Sequence, residues 1–340
     1  MSSEVKLSFK DKLKIFWHGT KKELKYLWFE MKKNKVAYFM ILPVMVVILI
    51  EVIFPLLITF DTSLRHYTAA AESENPYFFE FPEIIGFANY VAIFTRPTFF
   101  RVLANTFFWT LMCVSLHVLL GIAFALLLNK DFKGKAFFRT MVIIPWAVPS
   151  YVTTYIWRVF ILQDSTLGAG YTGLFNLILT NFGLPEVRWL SADKFLGVPM
   201  IMWSAILVNT WLGIPFMTVT VLAGLQSIPQ DLYEAADIEG ASRWQKFRYI
   251  TLPMLKPSLM VAVLLGVIWT FNMFNVIYIM ALNTEIPAEE YSILAVWVYS
   301  LAFYQHDKGQ AAAAAWIIFF ILFVFSMIYK RVMRTPGGGK

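Results

Sequence analysis

The sequence has few charged residues and almost no cysteine. Asp, Glu, Lys and Arg make up 15% of the 340 residues, against about 25% in an ordinary soluble domain. Cys113 is the single cysteine, so no internal disulfide can form. Hydrophobic residues reach 59%, and the mean hydropathy is +0.62. A soluble core of this size cannot bury so much apolar surface, and the composition therefore predicts a membrane protein.

Residues for nucleotide binding or catalysis are also missing. The sequence contains no G-x-x-x-x-G-K-[ST] loop, so any nucleotide must bind a separate polypeptide. His18, His66 and His306 lie too far apart to suggest a metal site. A membrane-embedded transferase would need clustered Asp, Glu or His at the membrane surface, and the sequence shows no such cluster. We therefore expect no catalytic residue, no metal and no cofactor in this chain.

Six apolar stretches are long enough to cross a bilayer, which requires about 20 residues each. They are residues 36–60, 103–128, 140–162, 196–225, 258–282 and 310–329. The segments between them are too short for a soluble domain. The sequence predicts an all-α polytopic membrane protein with one transmembrane domain, 36–334, and six transmembrane helices.

The positive charges follow the predicted spans. Most of the 29 Lys and Arg residues lie before the first span, in segments 129–139 and 226–257, and after the last span. Because Lys and Arg concentrate on the cytoplasmic side, both termini are predicted to be cytoplasmic. This arrangement accounts for the net charge of +7 without nucleic-acid binding.

The two ends of the chain are predicted to lie outside the transmembrane domain. In residues 1–35, apolar side chains recur at helical spacing between lysines, which is typical of a helix on the cytoplasmic membrane surface. Such a leader is either an anchor in the lipid interface or a regulatory contact site. Residues 335–340 are glycine-rich and are predicted to be a flexible tail.

The predicted cytoplasmic loop 226–257 carries two short helical patterns. Pro229 suits a first helical turn, and Gly240 permits the positive φ of a helix C-cap. Ser242 and Gln245 have the spacing of a capping box, and Pro253 is expected to end the second helix. The loop is thus predicted to be a helix–Gly–helix element.

This loop resembles the EAA loop of the membrane subunits of binding-protein-dependent ABC importers. The matching positions are Glu234, Ala235, Ala236, Gly240, Ile250, Leu252 and Pro253. The resemblance implies that the loop is a coupling helix seated on an ATPase subunit, with Glu234 contacting the ATPase and Gly240 turning the chain. It also implies the type I ABC importer permease fold in the cytoplasmic (inner) membrane of a prokaryote. The implied partners are a second permease subunit, an ABC ATPase dimer that binds ATP and Mg, and an extracytoplasmic solute-binding protein.

Segments 209–216, 225–236 and 269–278 narrow the resemblance to carbohydrate importers, in particular to the first membrane subunit of maltose and maltodextrin systems. The positions that match the family's sugar pocket are Asn209, Leu212, Gly213 and Phe216, and Gly266, Trp269, Thr270 and Met273. Each set has the spacing i, i+3, i+4, i+7 of one helical face. An amide can bond to hydroxyls, a glycine permits close approach of a sugar, and an aromatic ring covers a sugar's C–H face. The alternative for both faces is ordinary helix packing through small residues.

Other interpretations of the chain remain open. The transported solute of an ABC importer could be another small molecule, such as glycerol phosphate or another disaccharide. A proton-coupled secondary carrier would use Glu51 or Arg158 as its relay and would need no ATPase. His117 is interpreted as structural, and the asparagines Asn272 and Asn275 are expected to bond to neighbouring helices or to a partner subunit.

Overall fold

The computed structural model describes residues 28–29, 32–68, 82–163 and 171–333. Most of the predicted leader, 1–35, and the predicted tail, 335–340, lie outside these residues. The described chain is mostly helical and divides into two compact units, 1–61 and 62–340.

The first unit is built on one long apolar helix, α1, which covers Lys35–Ser63 and ends just inside the second unit. Its apolar side chains are largely exposed, as expected for side chains that face lipid. A wider, π-type turn occupies Leu49–Ile53, and Glu51 lies in that turn. π-type turns interrupt the regular ladder of helical hydrogen bonds without ending the helix.

The second unit is almost entirely helical. Its helices in chain order are α2 (Ala88–Phe94), α3 (Pro97–Asn129), α4 (Lys135–Ala147), α5 (Ser150–Ile156, extended by a π-type turn over Trp157–Ile161), α6 (Leu174–Asn181), α7 (Met200–Gln226), α8 (Gln230–Ile238), α9 (Arg243–Phe271), α10 (Asn275–Met280), α11 (Ala288–Tyr291), α12 (Leu294–Tyr304) and α13 (Lys308–Met333). A two-residue hairpin, β1 (Lys194–Phe195) and β2 (Val198–Pro199), pairs antiparallel just before α7.

Five of the described helices are long and apolar enough to cross a membrane: α1, α3, α7, α9 and α13. The predicted third span, 140–162, instead falls on α4 and α5, which are separated at Val148 and Pro149. Val148 is extended, with φ −110° and ψ 132°, because a following proline disfavours the helical conformation. The count of six spans and the cytoplasmic location of the termini therefore stay predictions.

Prolines do not interrupt the helix of the fourth predicted span. Pro199 precedes α7 and Pro215 lies inside it, yet α7 is uninterrupted. A proline just before a helix loses no helical hydrogen bond, and transmembrane helices tolerate proline where neighbouring groups satisfy the backbone. The fifth span, predicted as 258–282, is α9 followed by a short break and α10.

Helix α7 lies at the centre of the second unit and packs most extensively against α3. A Cβ at Gly121 of α3 would overlap the side chain of Met217 of α7, so glycine is required for this close packing. Helix α9 packs on both helices, and the Trp109 indole Nε1 donates to the Thr270 carbonyl at 2.9 Å. These three helices form the frame of the candidate site.

Candidate functional site

A cavity of about 350 Å³ lies between α3, α7, α9 and the junction of α4 and α5. It is lined by His117, Pro145, Trp146, Val148, Pro149, Ser150, Asn209, Leu212, Gly213, Phe216, Met217, Gly266, Trp269, Thr270 and Met273. All eight residues that the sequence placed on two helical faces are among them, although Met273 lies beyond the end of α9 and not on the helix. The structure therefore brings the two predicted sets together around one cavity.

Asn209 is the most polar group in the wall contributed by α7. The residue is 2% exposed, and its amide nitrogen Nδ2 is inaccessible to solvent and lies beside the Cys113 thiol. Rotation of the side chain would bring the amide to a ligand hydroxyl in the cavity that Asn209 lines, which makes Asn209 a candidate donor.

Three aromatic rings form one side of the cavity, here called the aromatic wall: Trp146, Phe216 and Trp269. The Phe216 and Trp269 ring centroids lie 4.9 Å apart in an edge-to-face arrangement, and those of Trp146 and Phe216 lie 6.2 Å apart. Sequence analysis found Phe216 and Trp269 but missed Trp146. Its position between Pro145 and Pro149, two prolines that disfavour a regular helix, was the available signal.

The two glycines of the cavity have different physical roles. A Cβ at Gly213 would overlap the imidazole of His117, so the close approach predicted at this glycine is made by His117. A Cβ at Gly266 would meet no atom within 4 Å. Gly266 therefore adds open volume to the cavity, whereas Gly213 lets α3 and α7 pack together.

His117 lines the cavity, which the sequence did not predict. It is 5% exposed, and its Nε2 donates to the Asn209 backbone carbonyl at 2.9 Å. This hydrogen bond fixes the ring between α3 and α7, in agreement with the structural role predicted for His117. The imidazole also forms part of the cavity lining, next to Asn209.

The break between α4 and α5 contributes Ser150, another residue that the sequence did not identify. Its hydroxyl oxygen accepts a hydrogen bond from Asn275 Nδ2 at 3.1 Å, which joins α5 to the start of α10. Asn272 Nδ2 donates to the Ile268 carbonyl of its own helix at 2.9 Å. The expected bond to a neighbouring helix is thus present for Asn275 and is replaced by a local one for Asn272.

The loop after α7 has the predicted turn. Helix α8 ends at Ile238, and Gly240 has φ +76° in the left-handed region that favours glycine. Ser242 and Gln245 form both hydrogen bonds of a capping box, at 3.3 and 2.7 Å. The local signals in the sequence were therefore sufficient to predict how the chain reverses direction here.

The expectation that Pro253 ends the second helix of the loop is wrong. Helix α9 begins at Arg243 and continues without a break to Phe271. A π-type turn over Phe247–Thr251 lies directly before Pro253. This wider turn removes the need for a backbone N–H on the proline and the clash of its ring with the preceding turn. The loop helix and the membrane helix are consequently one continuous element.

The residues of the EAA match divide into a surface set and a packed set. Glu234, Ala235 and Pro253 are exposed, and Ala236, Ile250 and Leu252 are half-buried. The two parts of the match meet because the Tyr233 hydroxyl bonds to the Thr251 hydroxyl at 2.9 Å.

Large apolar side chains surround the exposed set. Ile238 is 87% exposed, Tyr249 74% and Trp244 69%. Exposed apolar residues clustered on a charged loop mark a surface that a partner covers.

The remaining ionisable groups of the predicted spans do not form a site. Arg158 donates to the backbone carbonyls of Met280 and Leu282 at the end of α10, where a cation is stabilised by the helix dipole. No group of three or more His, Cys, Asp or Glu is placed to hold a metal ion in the part of the chain that the structure describes.

A helical membrane domain with an internal cavity and an exposed apolar loop is the architecture of a membrane transport subunit. Residues 117–335 match the family described as "Binding-protein-dependent transport system inner membrane component". The chain belongs to this family, and it is a multi-pass inner membrane protein with the ABC importer permease fold.

Relatives of known name extend over nearly the whole chain. The trehalose/maltose transport system permease protein MalF of Thermococcus litoralis is 36% identical over 305 residues, covering 89% of this chain and 95% of the relative. The galactooligosaccharides transport system permease protein GanP of Bacillus subtilis is 35% identical, and the match covers 87% of this chain and 69% of the relative. The maltodextrin transport system permease protein MdxF of the same organism is 33% identical, and the match covers 88% of this chain and 69% of the relative.

The fold is also that of a solved transporter. A chain of a bacterial ABC transporter involved in the import of the acidic polysaccharide alginate superposes with a TM-score of 0.72. It is 24% identical and covers 91% of this chain and 98% of its own. The two chains therefore share the fold of the membrane domain.

Proposed function

We propose that this chain is the transmembrane permease subunit of an ATP-driven importer for maltose, maltodextrin or a related oligosaccharide. The observation that carries the proposal is a cavity whose lining combines the amide-bearing residue Asn209 with the aromatic wall. A pyranose ring has hydroxyl groups on its rim and C–H groups on its faces. The amide would bond to a hydroxyl, and the aromatic rings would cover a C–H face.

The proposal requires a separate source of energy, because the chain contains no nucleotide-binding loop. We assign that role to an ABC ATPase dimer that binds the loop surface around Glu234. The exposed side chains of Ile238, Trp244 and Tyr249 would enter the apolar interface with the ATPase.

Two further partners complete the proposed importer. A second permease subunit would form the translocation path together with this chain. An extracytoplasmic solute-binding protein would deliver the sugar, and a solved relative of the fold was crystallised with an alginate pentasaccharide-bound periplasmic protein. Phe182, which is 80% exposed, lies in segment 163–195 between the third and fourth predicted spans, which the predicted orientation places on the extracytoplasmic side, and is a candidate for this docking surface.

A continuous apolar cluster connects the loop to the cavity. It contains Leu225, Val221 and Met217 of α7 and Leu255 and Ala262 of α9, and Tyr233, Ile250 and Phe216 pack against it. Movement of the loop by ATPase closure would be transmitted through this packed cluster to the cavity wall, because close-packed interiors resist local deformation. ATP and the loaded binding protein must both favour the outward-open state for such coupling to drive import.

The proposal is tested by uptake of labelled maltose and maltotriose into proteoliposomes that contain the complete four-subunit complex and its binding protein. We expect uptake to require ATP, to stop with an ATPase-dead partner and to continue in the presence of a proton uncoupler. Uptake that survives the dead ATPase and collapses with the uncoupler would establish a proton-coupled carrier instead. A panel of competing solutes, with glycerol phosphate and other disaccharides included, identifies the solute class.

A further inference from the structure

A second apolar feature lies on the outside of the helix bundle, away from the candidate cavity. Two adjoining hollows of about 620 and 450 Å³ run along α3, α9 and α13 and share Val118, Val263 and Tyr329. Together they form what is here called the outer groove. Neither hollow shares a lining residue with the candidate cavity.

The larger hollow is lined almost completely by hydrocarbon and aromatic groups. Its lining includes Phe107, Leu111, Val114, Val267, Leu322 and Phe325. The Tyr329 hydroxyl is already bonded to the Met260 carbonyl at 3.1 Å, so this phenol presents its ring rather than a free donor. This part of the outer groove therefore suits a flexible apolar chain.

The smaller hollow ends in two positive charges. Arg248 and Lys256 both line it, and both are exposed. They lie two helical turns apart on one face of α9, with Leu252 between them. Within the described residues neither cation makes an ion pair, and the hollow has no acidic lining residue.

The dimensions of the outer groove match one leaflet of a bilayer. The rise along α9 from Lys256 to Phe271, at the far end of the larger hollow, is about 22 Å at about 1.5 Å per residue. One leaflet of a bilayer, with its headgroup region included, is about 20–22 Å thick. The cations lie at the end of the outer groove that the charge distribution predicts to be cytoplasmic, where anionic headgroups are found.

We propose that the outer groove binds an anionic phospholipid of the cytoplasmic leaflet. Arg248 and Lys256 contact its phosphate, and an acyl chain lies against Val118, Val263 and Val267. Charge complementarity selects this occupant over an apolar helix of the partner permease, because a phosphate would pair with the two exposed cations and an apolar helix would pair with neither. The inference is independent of the transported solute and rests only on the membrane location of the chain.

The proposal connects the lipid to the same helix that carries the loop. Helix α9 bears Arg248 and Lys256 near one end and the cavity residues Trp269 and Thr270 near the other. A lipid bound along α9 would therefore stabilise the position of the element that links the ATPase surface to the cavity.

Native mass spectrometry of the purified importer complex tests the lipid site. The probes are phosphatidylglycerol and phosphatidylcholine of identical chain length, titrated into delipidated complex. We expect retention of phosphatidylglycerol over phosphatidylcholine, and a roughly tenfold or greater loss of phosphatidylglycerol affinity in the double variant Arg248→Gln with Lys256→Gln. The matched control, Lys130→Gln with Lys133→Gln, removes two exposed cations from the loop after α3 and should keep the affinity.

Two further variants separate the headgroup contact from the chain contact. The double variant Arg248→Lys with Lys256→Arg keeps both charges and should bind phosphatidylglycerol. It still tests the headgroup contact if the neutral variant fails to assemble. Leu259→Trp fills the smaller hollow and should weaken binding with both cations present.

The proposal is overturned by equal losses in the neutral variant and its control, or by unchanged retention in the neutral variant. A photo-crosslinker at Val263 that captures the partner permease instead of lipid would also overturn it.

Discussion

At position 213 the chain has room for little more than a hydrogen atom. The His117 imidazole fills the space in front of Gly213 and is held there by its hydrogen bond to the Asn209 carbonyl. Gly266 faces open space instead. The two glycines thus provide a matched pair in which the same substitution has different physical consequences.

We expect Gly213→Ala to destabilise the protein by about 1–3 kcal/mol, because the added methyl group overpacks a rigid contact. Gly266→Ala should change stability by much less, since its methyl group meets no neighbour. The measurement is thermal unfolding of the purified complex in one detergent, followed by intrinsic fluorescence. Equal shifts in the unfolding temperature for both variants would show that His117 moves aside easily.

The amide of Asn209 gives a test at the level of a single hydrogen bond. Asn209→Leu keeps the branched side chain with the same number of heavy atoms and removes the amide, so we expect the KM for sugar uptake to rise about fivefold to tenfold, equivalent to about 1–1.5 kcal/mol. Thr210 is the control, because its hydroxyl is also buried but does not line the cavity. Thr210→Val should leave KM unchanged. A similar KM for both variants would remove Asn209 from the sugar site.

At the scale of the element, the Gly240 turn is set by the backbone and not by crowding. Gly240 has φ +76°, and a Cβ there would meet no atom within 4 Å. A substitution at this position is therefore penalised by backbone strain alone. Asparagine enters the left-handed region more readily than other non-glycine residues, whereas a β-branched residue is strongly disfavoured there.

This difference predicts a graded series of variants. Gly240→Asn should retain ATPase attachment and most uptake, and Gly240→Val should lose both because α8 and the start of α9 can no longer form the same turn. Co-purification of the ATPase and ATP-dependent uptake are the two measurements. If the asparagine variant is as defective as the valine variant, the glycine is needed for contact with the partner rather than for its φ.

Elements of the candidate site differ in how far the sequence could predict them. The faces on α7 and α9 could be predicted because i, i+3, i+4, i+7 spacing places residues on one side of any helix. The capping box and the Gly240 turn depend on neighbouring residues only, and both were predicted. The continuation of α9 past Pro253 could not, because a π-type turn is not encoded by proline spacing.

At the scale of the whole molecule, the cavity residues that the sequence did not identify depend on contacts between distant segments. Trp146 and Ser150 reach the cavity because the α4 and α5 junction packs beside α7 and α9. His117 reaches it from α3. No local sequence pattern predicts which helices become neighbours. Trp146, Ser150 and His117 could therefore be assigned to the cavity only from the structure. The membrane-spanning character, in contrast, follows from composition alone and was predicted.

The two ends of the molecule provide a test of the complete topology. Ile238, the last residue of α8, is 87% exposed, and Phe182, directly after α6, is 80% exposed. The predicted orientation places them on opposite sides of the membrane. Each side chain is large, apolar and solvent-accessible, so a carboxylate at either position should affect an interface and not the fold.

We expect Ile238→Glu to abolish attachment of the ATPase, because it introduces a charge into an apolar contact that the partner must cover. Phe182→Glu should leave ATPase attachment intact and weaken only the stimulation of ATP hydrolysis by the loaded binding protein. Co-purification and binding-protein-stimulated ATPase activity distinguish these effects, and thermal unfolding checks that both variants fold. Loss of the ATPase from the Phe182→Glu variant would place α6 on the cytoplasmic side, which contradicts the topology on which the proposed transport path depends.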